Sequence, residues 1–143
     1  DTWRFLHTMS EKIKEENYET EKVKILSIIK SICNTLPCPD CKAHAVTFMK
    51  KITIKNIPNK QNLQILLLNF HNEVNKRLKK EIQGNEILET YKSNNLIEII
   101  HTFVKVYSRP VHNNRLMMDS LNRNFLMKEI LKYFNSNIDK FDK

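Results

Sequence analysis

The pair Cys38-Pro39-Asp40-Cys41 is the part of this chain best equipped for chemistry. Two residues between cysteines at a helix N-terminus bring the sulfurs close enough to bond. The helix dipole and the unpaired backbone N–H groups there stabilise a thiolate. Thiolate is the attacking form in disulfide exchange, so the pair can cycle between dithiol and disulfide. Zinc is an equally open reading: Cys38, Cys41 and His44 form C-x-x-C-x-x-H, and His71 would be a fourth ligand. A thioredoxin-like arrangement needs a βαβ pattern around the motif, and no stretch alternates like a strand. Cys33, the third cysteine, lies in line with Ile29 and Leu36 on an apolar helical stripe. It reads as a small buried hydrophobe, with an auxiliary thiol that exchanges with the pair as the alternative. Three cysteines, an odd count, do not make a secreted disulfide framework.

A second constellation lies downstream, in Phe70-His71-Asn72-Glu73-Val74-Asn75-Lys76-Arg77-Leu78. His71, Val74, Asn75 and Leu78 fall at i, i+3, i+4 and i+7 and share one helical face. A His and an Asn in an otherwise apolar stripe need hydrogen-bond partners when buried. Those partners are either neighbouring helices or a flat polar ligand, and the stripe alone leaves both open.

Helices must position these groups. The chain has one glycine in 143 residues, which excludes Gly-rich nucleotide loops and argues for an all-α fold. Trp3, Phe5, Leu6, Met9 and Ile13 predict a first helix, burying one side, over residues 3–14. Glu15–Thr20 is polar and breaks that pattern. A second helix follows over about 20–36, stopping before Pro37. Pro39 and Asp40 suit the first turn of a third, reaching about Lys51. The strongest pattern is a fourth helix over about 60–80, carrying Leu63, Leu67, Phe70, Val74 and Leu78. Gly84 ends that region, and a short segment, Glu86–Tyr91, follows. Beyond Asn94 and Asn95, residues 96–143 predict two helices. One carries Leu96, Ile100, Phe103, Val104 and Tyr107. The other carries Leu121, Phe125, Leu126, Ile130, Tyr133 and Phe134. A turn at Ser108–His112 joins them. Met117, Met118 and Phe125 are expected to face a core.

The net charge of +8 and pI near 9.4 permit nucleic acid, an acidic partner or a membrane surface. The dense clusters are Lys76, Arg77, Lys79, Lys80 and Lys50, Lys51, and the remaining positive charges are scattered. They read as a solvated helix face rather than a nucleic-acid patch, or as a helix end that holds a cofactor's phosphates. No run of 18 apolar residues exists, so no membrane span is expected. The chain starts at Asp1 without a methionine and shows no leader, as a trimmed sequence would.

Taken together, Trp3-Arg4-Phe5-Leu6-His7, Leu36-Pro37-Cys38-Pro39-Asp40-Cys41 with His44, and the His71-Asn72-Glu73-Val74-Asn75 element resemble the Erv/ALR family of FAD-linked sulfhydryl oxidases. The compact form looks most like those encoded by large DNA viruses. The resemblance implies a four-helix bundle plus a short fifth helix over residues 1–95, with FAD wedged in the bundle mouth. Residues 96–143 would be a C-terminal helical extension of unassigned role. Cys41 would be the flavin-proximal cysteine and Cys38 the one that exchanges with incoming thiols. Trp3, His7, His44, His71, Asn72, Val74 and Asn75 match flavin-contacting positions, Lys76, Arg77 or Lys80 would pair with the diphosphate, and Tyr91 would pack near the adenine. The implied reaction forms disulfides in thiol-containing protein substrates, a thioredoxin-like carrier among them, and reduces O2 to H2O2. Family members are commonly homodimers through their first two helices. The expected setting is cytoplasmic, with a host cytoplasm, virus factory or virion for a viral protein. The chain departs from the family in having Leu36 where an aromatic residue is usual, and in lacking a second shuttle pair, the stapling disulfide and the Gly-Arg before Trp3. A zinc-binding helical interaction module is the competing reading.

Overall fold

A computed structural model describes residues 1–108 and 117–143. Its α-helices are α1 (Thr2–Lys12), α2 (Glu15–Cys33), α3 (Pro39–Lys50), α4 (Lys60–Arg77), α5 (Leu96–Tyr107) and α6 (Met117–Asn137). Short 3-10 stretches lie at Ile54–Asn56, Asn85–Ser93 and Ile138–Lys140. Among the described residues the only β pairing is an isolated bridge between Ile13 and Phe141. The fold is all-α, and the 3-10 stretch Asn85–Ser93 stands where a short fifth helix is expected. The turn predicted around Pro110 falls outside the described residues, Ser108 excepted. No described helix is long and apolar enough to cross a membrane.

Local chemistry sets the helix ends. Cys38 is the N-cap of α3: its backbone is extended, its Sγ accepts the Cys41 N–H, and Pro39 opens the helix. Asn59 caps α4 by accepting from Asn62 N at 2.9 Å, and Asn95 caps α5 by accepting from Glu98 N at 3.1 Å. The polar stretch Glu15–Thr20 does not break the chain, contrary to expectation. It is the start of α2, where Glu15 and Glu16 offset the helix dipole. Polarity there marks an exposed face rather than a loop. Helix α4 stops at Arg77, before residue 80. Lys79 adopts φ 58°, and Lys80 N donates to Asn75 O at 2.7 Å. That is a Schellman ending built on a lysine instead of a glycine.

Helix α1 is the centre of the molecule. It buries Phe5, Leu6, His7, Thr8, Met9, Ser10 and Lys12, not the single side its apolar pattern predicts. Helix α4 and the Asn85–Ser93 stretch pack on it, and so does α5. Phe5 stacks on Phe103 with ring centroids 4.4 Å apart and meets the edge of Phe134. Three of its buried polar side chains are bonded: Ser10 Oγ donates to His7 O, Asn94 Nδ2 to Thr8 Oγ1, and Lys12 Nζ to Lys92 O. The chain's last residues close the same region, where Asp142 N donates to Lys12 O and Lys14 N to Lys140 O. One apolar core therefore runs from Phe5, Ile29 and Leu63 through Phe103, Ile130 and Phe134.

Helix α6 corrects the predicted stripe. Leu121 and Phe125 are 58% and 67% exposed, and Met117 and Met118 also face outward. Arg123, Met127, Ile130 and Phe134 form the buried face instead. The first half of α6 carries apolar residues on more than one side, so hydrophobicity alone cannot select the face. Packing against α2 and α5 selects the one that contains Arg123.

Candidate active site: a cleft at the cysteine pair

The N-terminus of α3, the end of α2 and the last turns of α4 surround a cleft of about 370 Å³, within the range of small-molecule sites. Cys38 and Cys41 open onto it beside His44 and Ala45 of α3. Phe70, Val74, Arg77 and Leu78 line it from α4, Trp3 and Leu6 from α1, and Ile32 and Cys33 from α2. The walls are mainly apolar, with two thiols on one side and the Arg77 guanidinium at hand.

The two cysteines are not equivalent. Both are exposed, but only Cys38 caps the helix, where its Sγ accepts the Cys41 N–H at 3.3 Å. The hydrogen bond from the Cys41 thiol, and then that backbone N–H, hold the Cys38 thiol below its ordinary pKa. The same thiol–thiol bond raises Cys41, with burial adding to it and the Arg77 charge opposing it. Cys38 is therefore the first to ionise, and the pair titrates as a unit. Arg77 also donates to Asp40 O at 3.3 Å, tying α4 to the motif's helix. Cys33 is 1% exposed and burial pushes its thiol to about 12, as a packed hydrophobe requires. It nevertheless lines the same cleft.

Behind Trp3 runs a ladder of rings. Trp3 stacks on His71 at 4.1 Å, nearly parallel, and His7 stacks on Tyr91 at 4.7 Å. His7 Nε2 and His71 Nδ1 are 3.0 Å apart. Burial, then the neighbouring His71, lowers His7 to about 4. Burial, then Lys80, lowers His71. Both imidazoles are neutral at pH 7. His7 Nδ1 is buried without a hydrogen-bond partner, an orphan of the kind a ligand satisfies.

Of the predicted positions, Trp3, Cys38, Cys41, His44, Val74 and Arg77 meet in the cleft, and His7, His71 and Tyr91 form the adjoining ladder. Asn72 is engaged elsewhere: its side chain pairs with both backbone groups of Gln83, at 2.8 and 3.0 Å. Asn75 is buried, with its carbonyl in the end of α4. Lys76 and Lys80 stand exposed at that helix end. The zinc set does not assemble, because His71 turns to His7 and Trp3. Among the described residues no group of three or more His, Cys, Asp or Glu side chains converges on a metal position. Leu6, Ile32, Phe70 and Ala45 also line the site. No motif marks Ile32 or Ala45, because an apolar residue that walls a cleft looks in sequence like any core residue.

The Erv1 / Alr family model matches residues 1–96, the stretch that carries every one of these groups. The chain belongs to the Erv1/Alr family. Its relatives include the FAD-linked sulfhydryl oxidases of two isolates of African swine fever virus, from Kenya and Malawi. Each is 32% identical over 80 residues, 56% of this chain and 66% of theirs. Protein 096R of Invertebrate iridescent virus 3 is 25% identical over 92 residues, 63% of this chain and 62% of its own. The matched stretch thus spans just under two thirds of these relatives' length. No solved structure matches the chain. Within the matched region the cleft presents two features together: a pair of free thiols, and a mainly apolar recess with the ring ladder beside it.

Proposed function

We propose that this chain is an FAD-linked thiol oxidase that makes disulfide bonds in protein substrates through Cys38 and Cys41. One observation carries the reading. The thiol pair opens onto the same cleft as Trp3, His44, Val74 and Arg77, with the His7–His71 ladder next to it. The recess suits a flat cofactor: apolar walls, stacking rings, neutral imidazoles and an orphaned buried nitrogen on His7. Trp3, His7, His44, His71 and Val74 would hold the ring system, and Arg77, Lys76 and Lys80 the phosphates. Asn72 and Asn75 would support the site through the backbone they brace, and Tyr91 would flank the nucleotide end. Bound there, FAD supplies a two-electron acceptor for the dithiol and a place where O2 is reduced to H2O2.

The chain's own part is thiol–disulfide exchange. A substrate thiolate attacks Cys38 Sγ in the Cys38–Cys41 disulfide, forming a mixed disulfide and releasing Cys41 as thiolate. A second substrate thiolate attacks the substrate sulfur of that mixed disulfide and releases Cys38. The substrate loses two electrons as its disulfide forms, and the pair gains them as a dithiol. Cys38, the more acidic thiol at the cap of α3, suits the exchanging role. Cys41, one turn into α3, faces the cleft. A thioredoxin-like carrier fits as one substrate, and the cytoplasm of an infected cell as the setting. A homodimer completes the proposal. With α1 enclosed, α2 is the helix left for that interface.

The test is a visible spectrum of the desalted protein, with O2 consumption in the presence of a dithiol. Flavin absorbance with O2 uptake supports the oxidase. A protein that stays colourless after incubation with FAD overturns it.

A further inference from the structure

The part of the chain beyond the matched family region reaches back to the cysteine loop. Tyr107, in the last turn of α5, donates to Ile32 O at 2.9 Å and meets the Thr35 hydroxyl at 3.0 Å. Arg123, from α6, donates through Nη1 to Thr35 O at 3.0 Å. Thr35 is three residues before Cys38, and Leu36 and Pro37 between them line the cleft. On the other side of the motif, Asp119 of α6 lies 3.9 Å from Lys42, the residue after Cys41. Helices α5 and α6 thus hold the cysteine motif from both sides.

Arg123 is an expensive way to do this. It is 2% exposed, has no carboxylate within ion-pair distance among the described residues, and its Nη2 is buried without a hydrogen-bond partner. A buried guanidinium carries a desolvation cost that a Met or Leu of similar volume would not. Packing alone does not call for it. A donor aimed at a carbonyl in the loop does.

We infer that Arg123 and Tyr107 are positioning residues: they fix the Thr35–Pro37 segment so that Cys38 takes up its N-cap geometry on α3. The extension at 96–143 is then a brace for the redox pair. The assignment rests on the exchange role given to Cys38 above, but its test does not need oxidase turnover. Cys38 is acidic because its Sγ, at the N-cap of α3, is hydrogen-bonded first by the Cys41 thiol and then by the Cys41 N–H, which it accepts at 3.3 Å. A loosened loop loses that bond, and the thiol returns toward its ordinary range.

The experiment is alkylation of the reduced protein, as purified, over a range of pH. The rate at Cys38 is followed peptide by peptide by mass spectrometry. In Arg123→Met the profile is expected to move to higher pH, with several-fold slower reaction at neutral pH. Arg123→Lys, which keeps a charged donor, is expected to recover most of the rate. Tyr107→Phe keeps the ring and loses only the hydroxyl, so it is expected to shift the profile part of the way. An unchanged Cys38 profile in folded Arg123→Met overturns the inference. If that variant does not fold, an unchanged profile in Tyr107→Phe overturns it. A colourless protein in which Arg123→Met still shifts the profile would sink the oxidase and leave the brace standing.

Discussion

Cys38 and Cys41 differ by about one helical turn, and the roles proposed for them follow that difference. Both thiols are exposed and line the cleft, but Cys38 caps α3 while Cys41 lies inside the helix, where the Arg77 charge acts on it. Substituting Cys41→Ser is expected to abolish dithiol-driven O2 uptake while leaving the cofactor's colour in the desalted protein. Normal uptake by that variant would remove Cys41 from the mechanism. The spacing of the motif is legible in the sequence, but the choice between redox and zinc is not. It depends on where His71 points, and His71 points at His7. The His7 ring also has a consequence for acid stability. Burial holds its pKa at about 4, against 6.5 when unfolded. Between those values the unfolded chain binds a proton that the folded chain refuses, so stability falls as pH drops through that window. The full effect is about 3 kcal/mol. Urea melts at pH 7 and pH 4.5 measure it. In His7→Phe the difference between the two should shrink, and equal differences would clear His7 of the effect.

At the scale of elements, the end of α4 is the position most open to improvement. Lys79 is left-handed at φ 58°, in a Schellman ending that suits glycine. Lys79→Gly is expected to raise stability by about 1 kcal/mol, because the strain on a side chain there exceeds the entropy glycine adds to the unfolded chain. The denaturation midpoint should rise with an unchanged slope, and a fall would mean that the lysine side chain contributes something else. The sequence cannot show this ending. Gly84, the only glycine, draws the eye past it. Helix α2 gives the opposite lesson: Glu15–Thr20 looks like a break, yet acidic residues at a helix start are stabilising. Hydrophobic periodicity reports which face packs, and it goes silent wherever a helix begins in water.

At the scale of the molecule, α5 and α6 are part of one core with α1. Phe134, under Phe5 and Phe141, is nearly fully buried. Phe134→Ala is expected to cost about 3–5 kcal/mol. Thermal unfolding should show one transition moving down, and a second independent transition would mean that 96–143 folds apart. A chain cut after residue 95 would expose Phe5 and Met9 on α1. It is expected to bind a hydrophobic dye and melt without cooperativity. The proposed division into an oxidase region and an extension is therefore one of function, across a core that does not divide.

What the sequence determined by itself was local. Cys-Pro-Asp-Cys sets a capped helix start, because proline and the dipole favour it there. Apolar spacing sets α4 and α5, and the pattern of Trp3, the cysteine pair and His71-Asn72-Glu73-Val74-Asn75 points to the family. Tertiary structure decided everything that depends on which surfaces meet. It buried every residue of α1 from Phe5 to Ser10, where the helix's own pattern accounts for one side. It buried Arg123 while Leu121 and Phe125, far more apolar, remained in water. It turned Asn72 to Gln83, and it drew His7 and His71 together across 64 residues of chain. The physical reason is common to all four. Periodicity records how a segment prefers to divide itself between water and core, and the partner that covers it is chosen only when the whole chain packs.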